Sequence, residues 1–242
     1  MPSPTPELVP PESPLDLLVV AAHPDDAEIS VGGTLAKFAA EGRRAGVLDL
    51  TDGEPTPAGD PDTRAAETAA ASKVLGLAWR GNLGLPNRSL VDDLLARRRL
   101  AEAFRLIRPR LVLTHFPEDA HPDHVAASRL TDAARFWGKL TRSDLAGEPY
   151  FVPQVLHYWS IHSRRQERPQ LVLDISDQID TKMRAVECYQ SQLGMAEDKP
   201  FPTVLDDIRD RARYWGWAIG AAYGEPLGSV EAIRSTIESL LN

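Results

Sequence analysis

The chain has 242 residues, 43% of them hydrophobic and 26% charged, which is enough to bury the core of one large α/β domain or two small ones. Its formal net charge of -8 argues against a broad basic footprint for nucleic acid or an anionic membrane, while leaving room for a small anionic substrate met by a few local Arg residues. The single cysteine, Cys188, excludes an intrachain disulfide and fits a reducing compartment.

The proline-rich opening, residues 1–14, lacks the basic start and apolar run of a secretion signal. It reads as a disordered or extended arm ahead of one domain over residues 15–242. No apolar run approaches the ~20 residues of a membrane span, so a cytoplasmic protein is expected. Residues 16–22, DLLVVAA, form a continuous apolar run, the mark of a strand buried on both faces. The polar run HPDDAE follows, then helical spacing over 31–41 that stops at Gly42. A second strand is expected over 44–50, then a loop, TDGEPTPAGDPD, and an Ala-rich helix over 63–75 ending at Gly76.

A short strand over 79–83 precedes a helix over 91–107, stopped before Pro109. Residues 111–116, LVLTHF, repeat the buried-strand pattern, and PEDAHPDH leads into a helix running to about residue 136. Later strands are expected over 155–161 and 171–175, with helices over 177–192 and 204–222. This alternation predicts an α/β fold with a mostly parallel central sheet, helices covering both faces. Ligands of such sheets bind beyond the carboxyl ends of the strands, and HPDD and HPDH both stand at such ends.

A lone His-Asp pair in a loop usually serves a capped turn. Here two clusters, His23-Asp25-Asp26 and His121-Asp123-His124, end two apolar strands. Two imidazoles and one carboxylate suit Zn²⁺ with a position open for water. Such a site activates water and polarises a carbonyl. A hydrolase also needs a base beside the water and a group to protonate the leaving amine. Asp25 and Asp26 are adjacent and non-helical, so one can bind metal while the other faces the water. Pro122 suits the first position of a helix, making His121 its cap and His124 its third residue. The helix dipole disfavours a charged His121, so Asp123 is expected to orient it and raise its pKa.

The run AHPDDAEISVGGTLAKFAAEG, followed by HPDH beyond a strand, resembles the PIG-L or LmbE-like zinc deacetylases. The resemblance implies a Rossmann-like fold and removal of N-acetyl groups from glucosamine-containing conjugates. It implies His23, Asp26 and His124 as zinc ligands, Asp25 as general base, and His121 as electrostatic and general-acid residue oriented by Asp123. Further segments, among them LTDGEPTP, TRAAETAAASKVLG, NLGLPNR and DISDQIDTKMRAVECYQSQ, resemble the bacillithiol-biosynthesis deacetylases of N-acetylglucosaminyl malate. That implies Arg64 and Glu54 on the substrate, Asn87 near the sugar hydroxyls, Tyr189 and Gln192 along the pocket, and a trimer or hexamer. Asp119 departs from the Tyr that mycothiol-pathway relatives carry there. Chitobiose-type and inositol-linked conjugates are the alternative substrates, and Fe²⁺, Co²⁺ or Mn²⁺ the alternative metals.

Without that resemblance, Arg64 reads as a solvated surface residue. His115 reads as a satisfied strand-end residue, and His162, with Arg164 and Arg165, as a flank of the pocket or a solvated loop. Tyr214, Trp215, Trp217 and Tyr223 read as helical core or a subunit interface. A dinucleotide-binding oxidoreductase is disfavoured because HPDDAEIS, not G-x-G-x-x-G, follows the first strand. A metalloprotease lacks H-E-x-x-H. A non-catalytic metal or carbohydrate-binding module has no use for a spare carboxylate at Asp25.

Overall fold

Strand β1 (Leu17–Ala21) is buried at all five positions, and its alternate side chains feed two separate cores. Leu18 and Val20 pack with Leu100, Phe104, Ala127 and Leu130 on one face. Leu17, Val19 and Ala21 pack with Ala27, Val31, Leu35 and Leu75 on the other. Each such Leu or Val contributes roughly 1.5–3 kcal/mol by leaving water, which is why a strand apolar at consecutive positions belongs in the middle of a covered sheet.

The computed structural model describes residues 8–163, 168–193 and 203–233. The other strands of the sheet are β2 (Ala45–Asp49), β3 (Trp79–Asn82), β4 (Leu111–His115) and β5 (Gln154–Tyr158). All pairings are parallel, in the order β3-β2-β1-β4-β5. Helices α1 (Asp26–Ala40) and α2 (Pro61–Leu75) connect the strands on one side of the order; α3 (Leu94–Ile107) and α4 (Pro122–Gly138) serve the other. The order reverses between β1 and β4, so the loops after these two strands part and leave a crevice at their carboxyl ends. Among the described residues, no helix is long and apolar enough to cross a membrane.

Local chemistry fixes several boundaries. Asp60 caps α2 through the amides of Asp62 and Thr63, Pro61 opens the helix, and Gly76 closes it in the left-handed conformation, φ 69°. His121 caps α4, its Nδ1 accepting from the Asp123 amide. Helix α1 begins at Asp26, five residues before the expected start at 31, and is kinked at Val31, φ -134°. The kink frees the amides of Gly33 and Thr34, which donate to Glu225 at 2.9 and 2.6 Å. A Cβ on Gly33 would lie 2.5 Å from Ile175. The glycine pair therefore serves close packing onto a buried carboxylate, and Lys182 neutralises that carboxylate at 2.6 Å.

The chain beyond β5 departs from expectation more. The helix expected over 177–192 divides into a 3₁₀ turn (Ser176–Gln178), α5 (Ile179–Val186) and α6 (Gln190–Leu193). That expected over 204–222 ends at 218 as α7 (Val204–Ala218). Gly224–Leu227 then forms β7, antiparallel to β6 (Leu171–Asp174). Its sequence, GEPL, hides a strand, because Gly and Pro weaken a ladder except at edges. Of the arm, residues 8–14 form neither helix nor strand and bend at residues 12 and 13, with the Trp79 Nε1–H donating to Val9 O at 2.8 Å; residues 1–7, like Arg164 and Arg165, lie outside the described residues.

Candidate metal and active site

The loop after β1 and the start of α4 meet across the crevice. His23, Asp26 and His124 bring one ligand atom each within 4.8 Å of one another. Asp26 stands at the centre: its Oδ2 lies 3.2 Å from His23 Nδ1, and its Oδ1 lies 3.2 Å from His124 Nε2. Each histidine is held from behind by a second carboxylate. His23 Nε2 is 3.2 Å from Asp123 Oδ2, and His124 Nδ1 is 3.2 Å from Asp119 Oδ2. Among the described residues both ring nitrogens of His124 are buried without a hydrogen-bond partner, Nδ1 facing Asp119 and Nε2 facing Asp26. A buried imidazole nitrogen left unpartnered beside a carboxylate marks a place that a cation could fill. Burial alone would lower the His124 pKa, yet the Asp26 and Asp119 carboxylates push it up to about 10. Burial would raise Asp26, but His124 beside it holds it well below the carboxylate range. Two imidazoles and a carboxylate are a donor set that could hold a divalent metal ion.

His115 stacks on His124 with ring centroids 4.0 Å apart, and its Nε2 accepts the Ala22 amide at 3.0 Å. Burial drops its pKa to about 4, so it is a neutral wall of the site. It stands at the strand end as expected but is not fully satisfied, since its Nδ1 is buried without a hydrogen-bond partner among the described residues.

Asp25 points elsewhere. Its backbone has φ 111°, a conformation costly for any residue with a Cβ. That twist turns its carboxylate away from Asp26, toward Arg64 Nη2 at 3.0 Å. Burial raises the Asp25 pKa to about 7, against the pull of Arg64. Arg64 is only 4% exposed, which replaces the solvated surface residue that its sequence context alone suggests. Its Nη2 also donates to Pro24 O, and its guanidinium lies over the Tyr189 ring at 5.5 Å.

A cavity of about 190 Å³ opens over this group, lined by His23, Asp25, Asp26, Arg64, Asn87 and His121 among others. Arg88, Gln192 and His162 also line it, the His162 ring centroid 6.0 Å from that of His121. Of the expected substrate contacts, Arg64, Asn87 and Gln192 reach the cavity. Glu54 does not line it; its carboxylate accepts from the Thr56 amide and hydroxyl at 2.7 and 2.8 Å. Tyr189 is also outside the lining: it is 1% exposed, and its hydroxyl donates to Glu28 at 3.1 Å. The rigid Arg80–Glu28–Asp49 network behind α1 absorbs the Tyr189 hydroxyl, whose partner could not be read from the sequence.

The expected pairing of Asp123 with His121 is replaced by another. The Asp123 carboxylate accepts from the amides of Arg88 and Leu90, at 2.8 and 3.3 Å, and faces His23. Only its backbone amide meets His121. Burial and the neighbouring His124 hold the His121 pKa below the ordinary imidazole value, where a rise was expected. With Nδ1 accepting from that amide, neutral His121 carries its proton on Nε2. Asp119, noted in the sequence only as a departure, emerges as the partner of His124. No local pattern announces it, because it acts through a histidine five residues away.

The model of the family described as GlcNAc-PI de-N-acetylase matches residues 18–135, from β1 to α4. A 1D-myo-inositol 2-acetamido-2-deoxy-alpha-D-glucopyranoside deacetylase of Rhodococcus erythropolis is 34% identical over 61% of this chain. The match spans 61% of that relative's own length, less than two thirds. A diacetylchitobiose deacetylase of Thermococcus kodakarensis is 30% identical over 90% of this chain and 84% of its own. Among solved structures, a conserved protein of Thermus thermophilus superposes with a TM-score of 0.85 at 42% identity, covering 92% of this chain and 97% of that one.

Proposed function

Since the chain belongs to the PIG-L family of de-N-acetylases, we propose that it is a metal-dependent amidohydrolase that removes the acetyl group of an N-acetylglucosamine conjugate. The observation that carries this reading is the divergence of Asp25 and Asp26. One carboxylate sits between two histidines; its neighbour opens onto the same cavity as His121. In this reading His23, Asp26 and His124 hold the metal, zinc being the best fit to the donor set. When bound, the metal would supply Lewis-acid polarisation of the acetamide carbonyl and acidify water.

The chain's own groups supply the rest. Asp25 takes a proton from the attacking water as its oxygen bonds to the acetamide carbon. The Nε2–H of His121 donates a hydrogen bond to the acyl oxygen. The C–N bond then breaks, and the proton held by Asp25 passes to the leaving nitrogen, giving acetate and a free amine. Arg64 fixes the Asp25 carboxylate in place. The His121 assignment shifts from general acid toward hydrogen-bond donor, because among the described residues no carboxylate is hydrogen-bonded to its ring.

Among conjugates, N-acetylglucosaminyl malate leads on the resemblance of several segments of the chain; inositol-linked and chitobiose-type conjugates follow, the two chemistries named for its relatives. We place the work in the cytoplasm, in a single domain over 15–242 that assembles as a homo-oligomer. Exposed Tyr214 and Trp217 on α7, at 58% and 75%, support the assembly. A panel of these conjugates, scored for acetate release, tests the function; release from none of them refutes it. A non-catalytic binder would instead hold the sugar unchanged.

A further inference from the structure

The cavity over the metal site, at about 190 Å³, falls short of the ~300–1,000 Å³ that usually encloses a small ligand. A sugar conjugate would therefore extend past the cavity, with part of it at the rim. Two cationic side chains border it. Arg64 is already committed, its Nη2 bonded to Pro24 O and Asp25 and its Nε and Nη1 sealed from solvent. Arg88 is exposed, lines the same cavity, and among the described residues its guanidinium has no hydrogen-bond or ion-pair partner.

The position of Arg88 is not that of a casual surface residue. Its backbone is left-handed, φ 61°, a conformation uncommon outside glycine. Two acceptors hold it there: the Asn87 side chain and the Asp123 carboxylate, each 2.8 Å from the Arg88 amide. Asp123 in turn faces His23, so the Cα of Arg88 is tied to the metal cluster itself. The backbone that carries this side chain is thus anchored beside the cluster, and its planar five-donor guanidinium is suited to bidentate recognition of a carboxylate. His162 lines the same cavity beside His121 and adds a further donor there.

We infer that Arg88, and not Arg64, is the residue by which this protein selects conjugates whose aglycone carries a carboxylate. The inference rests on the deacetylase reading for the identity of the sugar, and on the geometry of the rim for the charge. Arg64 keeps the separate task of positioning Asp25.

The test uses binding, so that it does not depend on turnover. Two glucosaminides are prepared, identical except that one carries a free aglycone carboxylate and the other its methyl ester. Each is titrated calorimetrically into zinc-loaded wild type, Arg88→Ala and Arg88→Asn; asparagine tolerates the left-handed backbone while lacking the charge. Wild type should bind the carboxylate form about tenfold more tightly or better, and both variants should lose most of that ratio. A wild type without preference, or an Arg88→Asn protein that keeps it, overturns the inference. If the preference follows Arg88 but neither N-acetyl parent releases acetate, the deacetylase reading falls and the anion site stands.

Discussion

Asp119 Oδ2 lies 3.2 Å from His124 Nδ1, and on the far side of that ring His124 Nε2 lies 3.2 Å from Asp26. The imidazole is gripped between two carboxylates, and the outer one dictates which nitrogen faces the centre of the site. Asp123 does the same for His23. Outer carboxylates of this kind usually contribute 10–100-fold to metal affinity. Asp119→Ala should therefore weaken zinc binding by about that factor in competition with a chelating dye. An unchanged zinc affinity would remove Asp119 from the account.

Asp25→Asn separates chemistry from metal binding. The amide keeps the shape of the carboxyl group but cannot take a proton from water. Turnover should fall by about 10²–10⁴-fold while zinc content stays that of wild type. Loss of the metal along with activity would mean that Asp25 belongs to the cation site.

His157 gives a pH dependence remote from the metal. It is fully buried, and burial drops its pKa to about 4 from the ordinary 6.5. The unfolded chain therefore takes up a proton below pH 6.5 that the folded one refuses until about pH 4. Its contribution to stability is complete above pH 6.5 and is lost as the pH falls toward 4. The amount is roughly 1–3 kcal/mol. His157→Leu should flatten that limb of the urea-denaturation profile; an identical limb in the variant would contradict the assignment.

Gly33→Ala tests the account of the α1 kink. The added methyl would sit 2.5 Å from Ile175 Cδ1 and 3.0 Å from Glu225 Oε1. Such overpacking costs about 1–3 kcal/mol, read as a lower urea midpoint with the slope unchanged. A midpoint equal to wild type would show that the contact gives way freely.

Much of the fold was legible because the deciding residues are local. LLVVA and LVLTH announce covered strands, and Gly76 announces a helix end. The site was legible where one motif supplies its own partners, as in His121 capping its own helix. What escaped depends on distant pairings. Asp123 turned from His121 to His23, across 100 positions, and Tyr189 was drawn to Glu28, across 161. Strand β7 exists because β6 offers it an edge, and nothing within GEPL says so. Arg64 and Arg88 look alike in sequence; burial against Asp25 separates their roles.

The central claim is that His23, Asp26 and His124 form a cation site on which hydrolysis of an N-acetylglucosamine conjugate depends. The direct measurement is acetate release from such a conjugate before chelator treatment, after it, and after zinc is added back. Activity should vanish with the metal and return with zinc. Release that persists at full rate in the chelated, metal-free protein would contradict the account.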